Sequence, residues 1–294
     1  MGHQDLPRVP PREAAVTGRR RLLVAAACAS LAGVARAQSE PSALERVLKR
    51  GSLSVAVYQD MPPFYDKGAG IDVELAAALA EGLGVKSSLL ALRADESLED
   101  DLRHAVWKGH YLGWGPADVM LHVPVDRPLI ELVPQVSIFG PYYQERVMLA
   151  WDRERGPVPE SLMALKGQPL VVSGISLPGW LMIGAEGGML RETLKTQFPH
   201  GVAAAQALLA GEAVAAAGLA SELESVLAGQ PRYAIIPIPS PRAPRDGWAV
   251  GMAVKKGATD LAQALQKRLN ELATGGQLRA MFEPRGIRWH PMQG

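Results

Sequence analysis

Short apolar runs of strand length alternate with amphipathic segments in the first half of the chain. Leu75 and Leu79 recur at helical spacing between two β-prone runs. The pattern predicts elements in alternation: strand 53–57, helix 73–81, strand 88–92, helix 97–107 and strand 118–123. This βαβαβ order predicts a doubly wound α/β lobe.

A second series of the same kind begins near residue 145. It predicts strands at 145–151, 169–173, 214–217 and 233–236, and helices at 179–198, 203–210 and 221–227. Gly184, Gly187 and Gly188 can interrupt the helix at 179–198. A last strand at 248–254 and an amphipathic helix at 259–273 follow, with a short helix at 277–282. The whole pattern predicts an α/β protein of two lobes.

The N-terminus has the pattern of an export signal. Arg19, Arg20 and Arg21 precede an apolar run over 22–34, and Ala35-Arg36-Ala37 follows it. A basic region, a short apolar region and an A-x-A site predict a signal peptide over residues 1–37 and a periplasmic mature protein. The arginine run leaves general secretion and twin-arginine export both open.

Composition excludes several functional classes. Lys and Arg number 31 against 30 Asp and Glu, so the net charge of +1 gives no reason to expect nucleic acid binding. The one cysteine, Cys28, lies inside the predicted signal, which leaves no thiol for catalysis or disulfides after cleavage. The motifs G-x-S-x-G, P-loop, H-E-x-x-H and C-x-x-C do not occur. We therefore expect a non-enzymatic protein without a cofactor.

Candidate ligand-binding residues follow strands or begin helices, since small molecules bind beyond the carboxyl ends of strands in open α/β sheets. Most are aromatic rings that can stack on a ligand, and Arg127 could pair with a carboxylate. The candidates are Tyr58, Met61, Phe64, Trp114, His122, Arg127, Tyr142, Tyr143, Ser176 and Trp180.

Three histidines, His104, His110 and His122, lie within nineteen residues, close to Asp118 and Asp126. Histidine and carboxylate are ligands that suit zinc or copper. The spacing does not place two of these histidines on one helical turn. We therefore expect hydrogen-bonded or solvated histidines and no metal site.

Several short sequence motifs, in their order along the chain, resemble those of the family 3 solute-binding proteins of polar amino acid ABC transporters. They are Lys49-Arg50-Gly51-Ser52-Leu53, Pro63-Phe64, Gly70-Ile71-Asp72-Val73-Glu74-Leu75-Ala76, Pro141-Tyr142, Leu165-Lys166-Gly167, Ala210-Gly211-Glu212-Ala213 and 250–257. The resemblance implies a type II periplasmic binding fold with a two-strand hinge. It places lobe one at 38–147 and 246–294 and lobe two at 148–245. It also implies a monomer that docks on an ABC permease after its cleft has closed on a small molecule.

The pattern departs from that family where a free amino acid is held. In the family an arginine twelve residues after the strand's aspartate grips the α-carboxylate, whereas Arg127 follows Asp118 by nine. Residues 214–219 carry no carboxylate for the α-amino group, and Met61 replaces an aromatic ring. Of the usual polar set, only Ser176 keeps its place. A zwitterion that moves into a cleft without groups of opposite charge for its two ends loses its hydration without compensation. We therefore expect that the ligand is not a free α-amino acid.

Residues 118–124 also resemble a divergent branch of this fold, the accessory proteins of quinoprotein methanol or alcohol dehydrogenases. That likeness implies a second hypothesis, a periplasmic protein that docks on a quinoprotein dehydrogenase and serves no transporter. Both hypotheses remain open at the level of sequence.

Overall fold

The computed structural model describes residues 40–289. The predicted signal peptide, residues 1–37, lies outside this range. Within this range, residues 42–289 form one compact unit. Among residues 40–289, no helix has both the length and the apolar character needed to cross a membrane.

The first half of the unit alternates helices and strands, as the hydrophobic pattern predicts. The elements are α1 (Ala43–Arg50), β1 (Ser52–Tyr58), α2 (Ile71–Gly82), β2 (Lys86–Leu92), α3 (Leu98–Leu102), β3 (Val119–Pro124), α4 (Arg127–Leu132) and β4 (Val136–Glu145). A π-helical turn, Arg103–Trp107, continues α3.

The second half repeats the alternation and then returns to the first sheet. The elements are β5 (Val147–Asp152), β6 (Leu170–Val172), α5 (Leu177–Ile183), β7 (Leu194–Lys195), α6 (Gly201–Leu209), β8 (Ala215–Leu219), α7 (Ala220–Leu227), β9 (Tyr233–Pro237), β10 (Trp248–Lys255), α8 (Thr259–Thr274) and α9 (Gln277–Phe282).

The strands form two five-stranded sheets, each with helices packed on it. The first has the order β2-β1-β3-β10-β4, with β10 antiparallel to both neighbours, and belongs to lobe one. The second has the order β7-β6-β8-β5-β9, with β5 antiparallel to both neighbours, and belongs to lobe two. The predicted two-lobed α/β architecture is confirmed.

Each sheet separates two apolar cores. In lobe one, α2, α8 and α9 cover one face, and α3 with its π turn covers the other. The predicted amphipathic stripe of α8 is buried as Leu261, Leu265, Leu269 and Leu272. Fully burying a leucine side chain contributes about 1.5–3 kcal/mol, so this stripe fixes the C-terminal helix on lobe one.

Two segments connect the lobes. Arg146 alone separates β4 of lobe one from β5 of lobe two, and residues 238–247 return the chain from β9 to β10. The Ala220 N–H donates to the Arg146 carbonyl at 2.9 Å, which ties the short connection to the start of α7.

Some elements differ from the sequence prediction. The helix predicted over 179–198 ends at Ile183, and the two-residue strand β7 follows within the same range. Glu186, Gly187 and Gly188 adopt positive φ there, which a continuing helix does not allow. Helix α4 and strand β4 were not predicted, because Pro128, Pro134, Gly140 and Pro141 conceal their periodicity.

Candidate functional site

A β-bulge at the end of β3 re-aims His122. Val123 pairs with Gly251 and Met120 with Ala253, so Leu121 and His122 together face the single residue Met252. His122 has φ +60°, a conformation that histidine adopts more readily than most residues. Its side chain is consequently buried on the face of the sheet that α2 covers, with 8% of the residue exposed.

Tyr142 ties this bulge to α2. Its hydroxyl accepts the His122 backbone N–H at 3.0 Å and donates to Asp72 Oδ1 at 2.8 Å. His122 Nδ1 lies 3.5 Å from Asp72 Oδ2 and has no hydrogen-bond partner. Burial and the neighbouring Asp72 raise the pKa of Tyr142 well above its usual value, so the phenol stays a donor. The three side chains form a buried polar cluster at the end of β3.

Aromatic rings pack around this polar cluster. The Phe64 ring meets the His122 ring edge-on with centroids 4.2 Å apart, and lies 5.7 Å from the Tyr143 ring. The Tyr143 ring stacks on the Phe282 ring with centroids 4.9 Å apart, so this group of aromatic rings packs against α9. Four predicted site residues, Phe64, His122, Tyr142 and Tyr143, are therefore brought together, largely as interior packing.

Lobe two presents Glu222 toward this cluster. Its carboxylate accepts the Gly201 N–H at 2.7 Å and the Leu219 N–H at 2.8 Å, so it joins the starts of α6 and α7. Burial raises the pKa of Glu222, while these two N–H groups and the His122 imidazole lower it. The influence of His122 on Glu222 connects a lobe-one side chain to a lobe-two side chain.

Glu145 joins the two lobes at the short connection. Its backbone belongs to β4, but its carboxylate accepts the Ser221 hydroxyl of α7 at 2.5 Å and the Arg146 N–H at 3.0 Å. The side chain is completely buried, and burial raises its pKa to about 7.

His200 is a titratable side chain of lobe two whose pKa responds to charges in lobe one. It caps α6 by accepting the Ala203 N–H at Nδ1. Burial lowers its pKa, and the lobe-one carboxylates Asp66 and Asp60 oppose that change. Titratable side chains of the two lobes therefore lie within electrostatic range of one another.

Arg127 lies outside this arrangement. Its guanidinium pairs with Glu131 at 2.8 Å, and its side chain is 88% exposed. It occupies the first position of the short helix α4, whose N-cap is Asp126.

The predicted lobe-two residues lie at the start of α5. The Ser176 hydroxyl donates to the Ser173 carbonyl and accepts the Gly179 N–H, so it serves as the helix N-cap. Trp180, one turn later, is 72% exposed, and the neighbouring Ile175 is 87% exposed.

Tyr58, Met61 and Trp114 pack together on the opposite face of the lobe-one sheet. The Tyr58 hydroxyl donates to buried Asp101 at 2.7 Å. Trp114 stacks on His110, with centroids 4.4 Å apart. The histidines considered at the sequence level divide accordingly: His104 and His110 lie beside Trp114, whereas His122 lies beside Phe64.

The residues missed from the sequence are mainly carboxylates, namely Asp72, Glu145 and Glu222. A signal for Glu222 was present, since Ser221-Glu222 follows the small-residue strand 215–219 after the single residue Ala220. Asp72 and Glu145 gain their environment only from tertiary packing.

No family model matches the chain. Among curated proteins, 72 residues are 43% identical to cyclohexadienyl dehydratase of Pseudomonas aeruginosa. The aligned segment covers 23% of this chain and 27% of that enzyme's length.

Solved structures share the architecture over most of the chain. An ancestral cationic amino acid solute-binding protein is 20% identical, with TM-score 0.63 over 83% of this chain and all of that one. The chain has the type II periplasmic binding fold. A Streptococcus pneumoniae amino acid ABC transporter substrate-binding protein bound to L-arginine matches with TM-score 0.60, 20% identity and coverage of 83% and 98%. The unliganded L-cystine solute receptor of Neisseria gonorrhoeae matches with TM-score 0.59, 22% identity and coverage of 86% and 100%. These neighbours confirm the fold that the resemblance implied.

Proposed function

We propose that this protein is an exported, non-enzymatic solute-binding protein that captures a small molecule between its lobes for an ABC importer. The two-lobed fold, shared with solute-binding proteins, supports this reading. The mature protein is proposed to act in the periplasm as a monomer, with closure of the lobes presenting it to the permease.

The ligand is proposed to lack a free α-carboxylate. One observation carries this: Arg127, the guanidinium that follows the ligand-side strand β3, points to solvent and pairs with Glu131. Carboxylates also act electrostatically across the two lobes, since Asp60 and Asp66 influence His200 and Glu222 is influenced by His122. An anionic group placed among carboxylates is repelled and loses its hydration, whereas an amine or a neutral polar molecule is accommodated.

The exposed position of Arg127 also favours a binding protein over an enzyme that dehydrates a carboxylate substrate. Such a dehydratase of this fold needs a cationic group to hold the substrate carboxylate. The similarity to cyclohexadienyl dehydratase covers only 27% of that enzyme's length, so it does not carry the enzyme's activity over to this chain.

A thermal-shift screen tests the proposal, because a ligand that binds only the folded state raises the unfolding midpoint. Amines and neutral polar solutes are expected to include one that raises it, and standard amino acids are not. Glu222→Gln should weaken a ligand found in this way, and Arg127→Ala, the matched control, should not. Tight binding of a standard amino acid that Arg127→Ala abolishes would contradict the proposal.

A second candidate function is an accessory protein of a periplasmic quinoprotein methanol or alcohol dehydrogenase. The exposed side chains of Trp180 and Ile175 favour it, because exposed tryptophan is enriched at protein interfaces. Size-exclusion chromatography with the purified dehydrogenase of the same organism tests it. A complex that Trp180→Ala weakens supports this role, and separate elution of the two proteins at micromolar concentrations counts against it.

A further inference from the structure

A cavity beside the carboxyl ends of β1 and β2 gathers several titratable side chains of lobe one. Its volume is about 380 Å³. The polar and aromatic residues that line it include Asp95, Asp101, His104, His110 and Trp114. It lies on the face of the lobe-one sheet opposite to the cluster around His122.

Three of these side chains converge as metal ligands do. His104 Nδ1 lies 3.3 Å from Asp95 Oδ2. One ligand atom from each of Asp95, His104 and His110 lies within 4.8 Å of the other two. Around a tetrahedral zinc with bonds of about 2.0–2.1 Å, neighbouring ligand atoms stand about 3.3 Å apart. The Asp95–His104 pair already has this separation, and the His110 ligand atom lies within 4.8 Å of both partners.

We propose that Asp95, His104 and His110 form a binding site for a divalent transition metal, with zinc as its simplest occupant. Two imidazoles and one carboxylate suit zinc among the metals that proteins hold. Three protein ligands leave the fourth position open toward the cavity, where water or a small anion can bind.

The surroundings hold the three ligands in place. The Asp95 N–H donates to Asp101 Oδ1 at 2.7 Å, and Tyr58 holds the other oxygen of that buried carboxylate. Trp114 stacks on the His110 ring with an interplanar angle of 10°. A supported ligand set loses little conformational freedom when the metal binds.

Two contacts oppose the metal and limit its affinity. Arg103 Nη2 lies 3.3 Å from His104 Nε2, and the Leu112 N–H donates to His110 Nδ1 at 3.2 Å. A ring that coordinates through one nitrogen carries its proton on the other, which then cannot accept these donors. Arg103 can release His104, since its side chain is 40% exposed and already pairs with Asp100 at 2.6 Å. The Leu112 contact is long and lies in an exposed loop.

Isothermal titration of zinc chloride into the full-length protein, purified without a polyhistidine tag, tests this site. One equivalent is expected to bind, and His104→Gln and His110→Gln should each weaken binding at least tenfold. His200→Asn is the matched control, because it removes a histidine outside the cluster and asparagine is a good N-cap. It should bind zinc as the wild type does.

Cobalt(II) gives a second readout, because its visible absorption is much stronger in four-coordinate than in six-coordinate sites. The wild type should show the intense bands, and Asp95→Asn and His110→Gln should lose them while their metal-free unfolding midpoints stay near that of the wild type. Zinc binding that is absent from the wild type, or equal in the wild type and both histidine variants, would overturn the proposal. If His104→Gln does not fold, His110→Gln decides the matter, since His110 lies in the loop between the π turn and β3.

Discussion

The carboxylate of Glu145, a residue of the last lobe-one strand before the crossover, accepts the hydroxyl of Ser221 from lobe two at 2.5 Å. The carboxylate is completely buried, and its pKa rises to about 7. Arg146, the nearest cation in sequence, donates only its backbone N–H to this side chain, while Glu222 nearby adds negative charge that raises the pKa further. A negative charge at the lobe connection is therefore costly.

Stability is expected to fall as the pH rises from about 4.5 to about 7. A carboxyl whose pKa is raised on folding binds its proton more tightly in the folded state, so its stabilising contribution is complete below its unfolded pKa and disappears above its folded pKa. The difference between 4.5 and about 7 corresponds to about 3 kcal/mol. Urea unfolding at pH 5 and pH 8 measures the change.

Glu145→Gln should remove most of this pH dependence, because glutamine accepts the same hydroxyl and does not ionise. Glu154→Gln is the control, since Glu154 is a largely exposed partner of Arg232. An unchanged pH dependence in Glu145→Gln would show that other groups cause it.

Tyr142→Phe is expected to destabilise lobe one by about 1–3 kcal/mol. The substitution removes the hydroxyl that joins Asp72 to the His122 N–H and leaves both buried groups without that partner. Tyr143→Phe keeps the stack on Phe282 and should cost clearly less. Urea unfolding of both variants provides the measurement, and equal losses would contradict the assignment.

Gly201→Ala is expected to displace Glu222. A Cβ at this position would lie 2.1 Å from Glu222 Oε2, so the carboxylate must leave the two N–H groups it accepts. We expect a loss of about 1–3 kcal/mol. In a double-mutant cycle the loss should shrink when Glu222→Gln is already present, because the shared interaction is then partly gone. If the losses of the two single variants simply add in the double variant, Gly201 and Glu222 do not act through one shared contact.

Arg127→Ala should change the free energy of unfolding by less than about 0.5 kcal/mol, because exposed ion pairs contribute little. The same variant should bind any ligand found by thermal shift with unchanged affinity. Urea unfolding checks the first claim, and calorimetric titration with the ligand checks the second. A large loss of affinity in Arg127→Ala would show that the guanidinium takes part in ligand binding.

The sequence was informative where periodicity is strong and local. Helix α8 was predicted because four leucines mark one face, and it is buried on that face. Strand β4 was missed because Gly140 and Pro141 interrupt its alternation, although its neighbour β10 supplies the pairing.

The candidate site was harder to predict, since its environment arises from tertiary packing. A bulge turns His122 onto the face of the sheet covered by α2, where it lies close to Phe64, Tyr142 and Tyr143. No local sequence pattern predicts such a bulge. Glu145 and Asp72 look like ordinary charged residues until burial changes their properties. Whether any of the ten candidate residues contacts a ligand stays a prediction.

Strand β10 lies between β3 and β4 in the lobe-one sheet, yet it is encoded near the end of the chain. Lobe two, by contrast, takes its five strands from the continuous range 147–237. During synthesis all five strands of the lobe-two sheet are therefore made before β10. The lobe-one sheet stays incomplete until β10, which ends at Lys255, has been made.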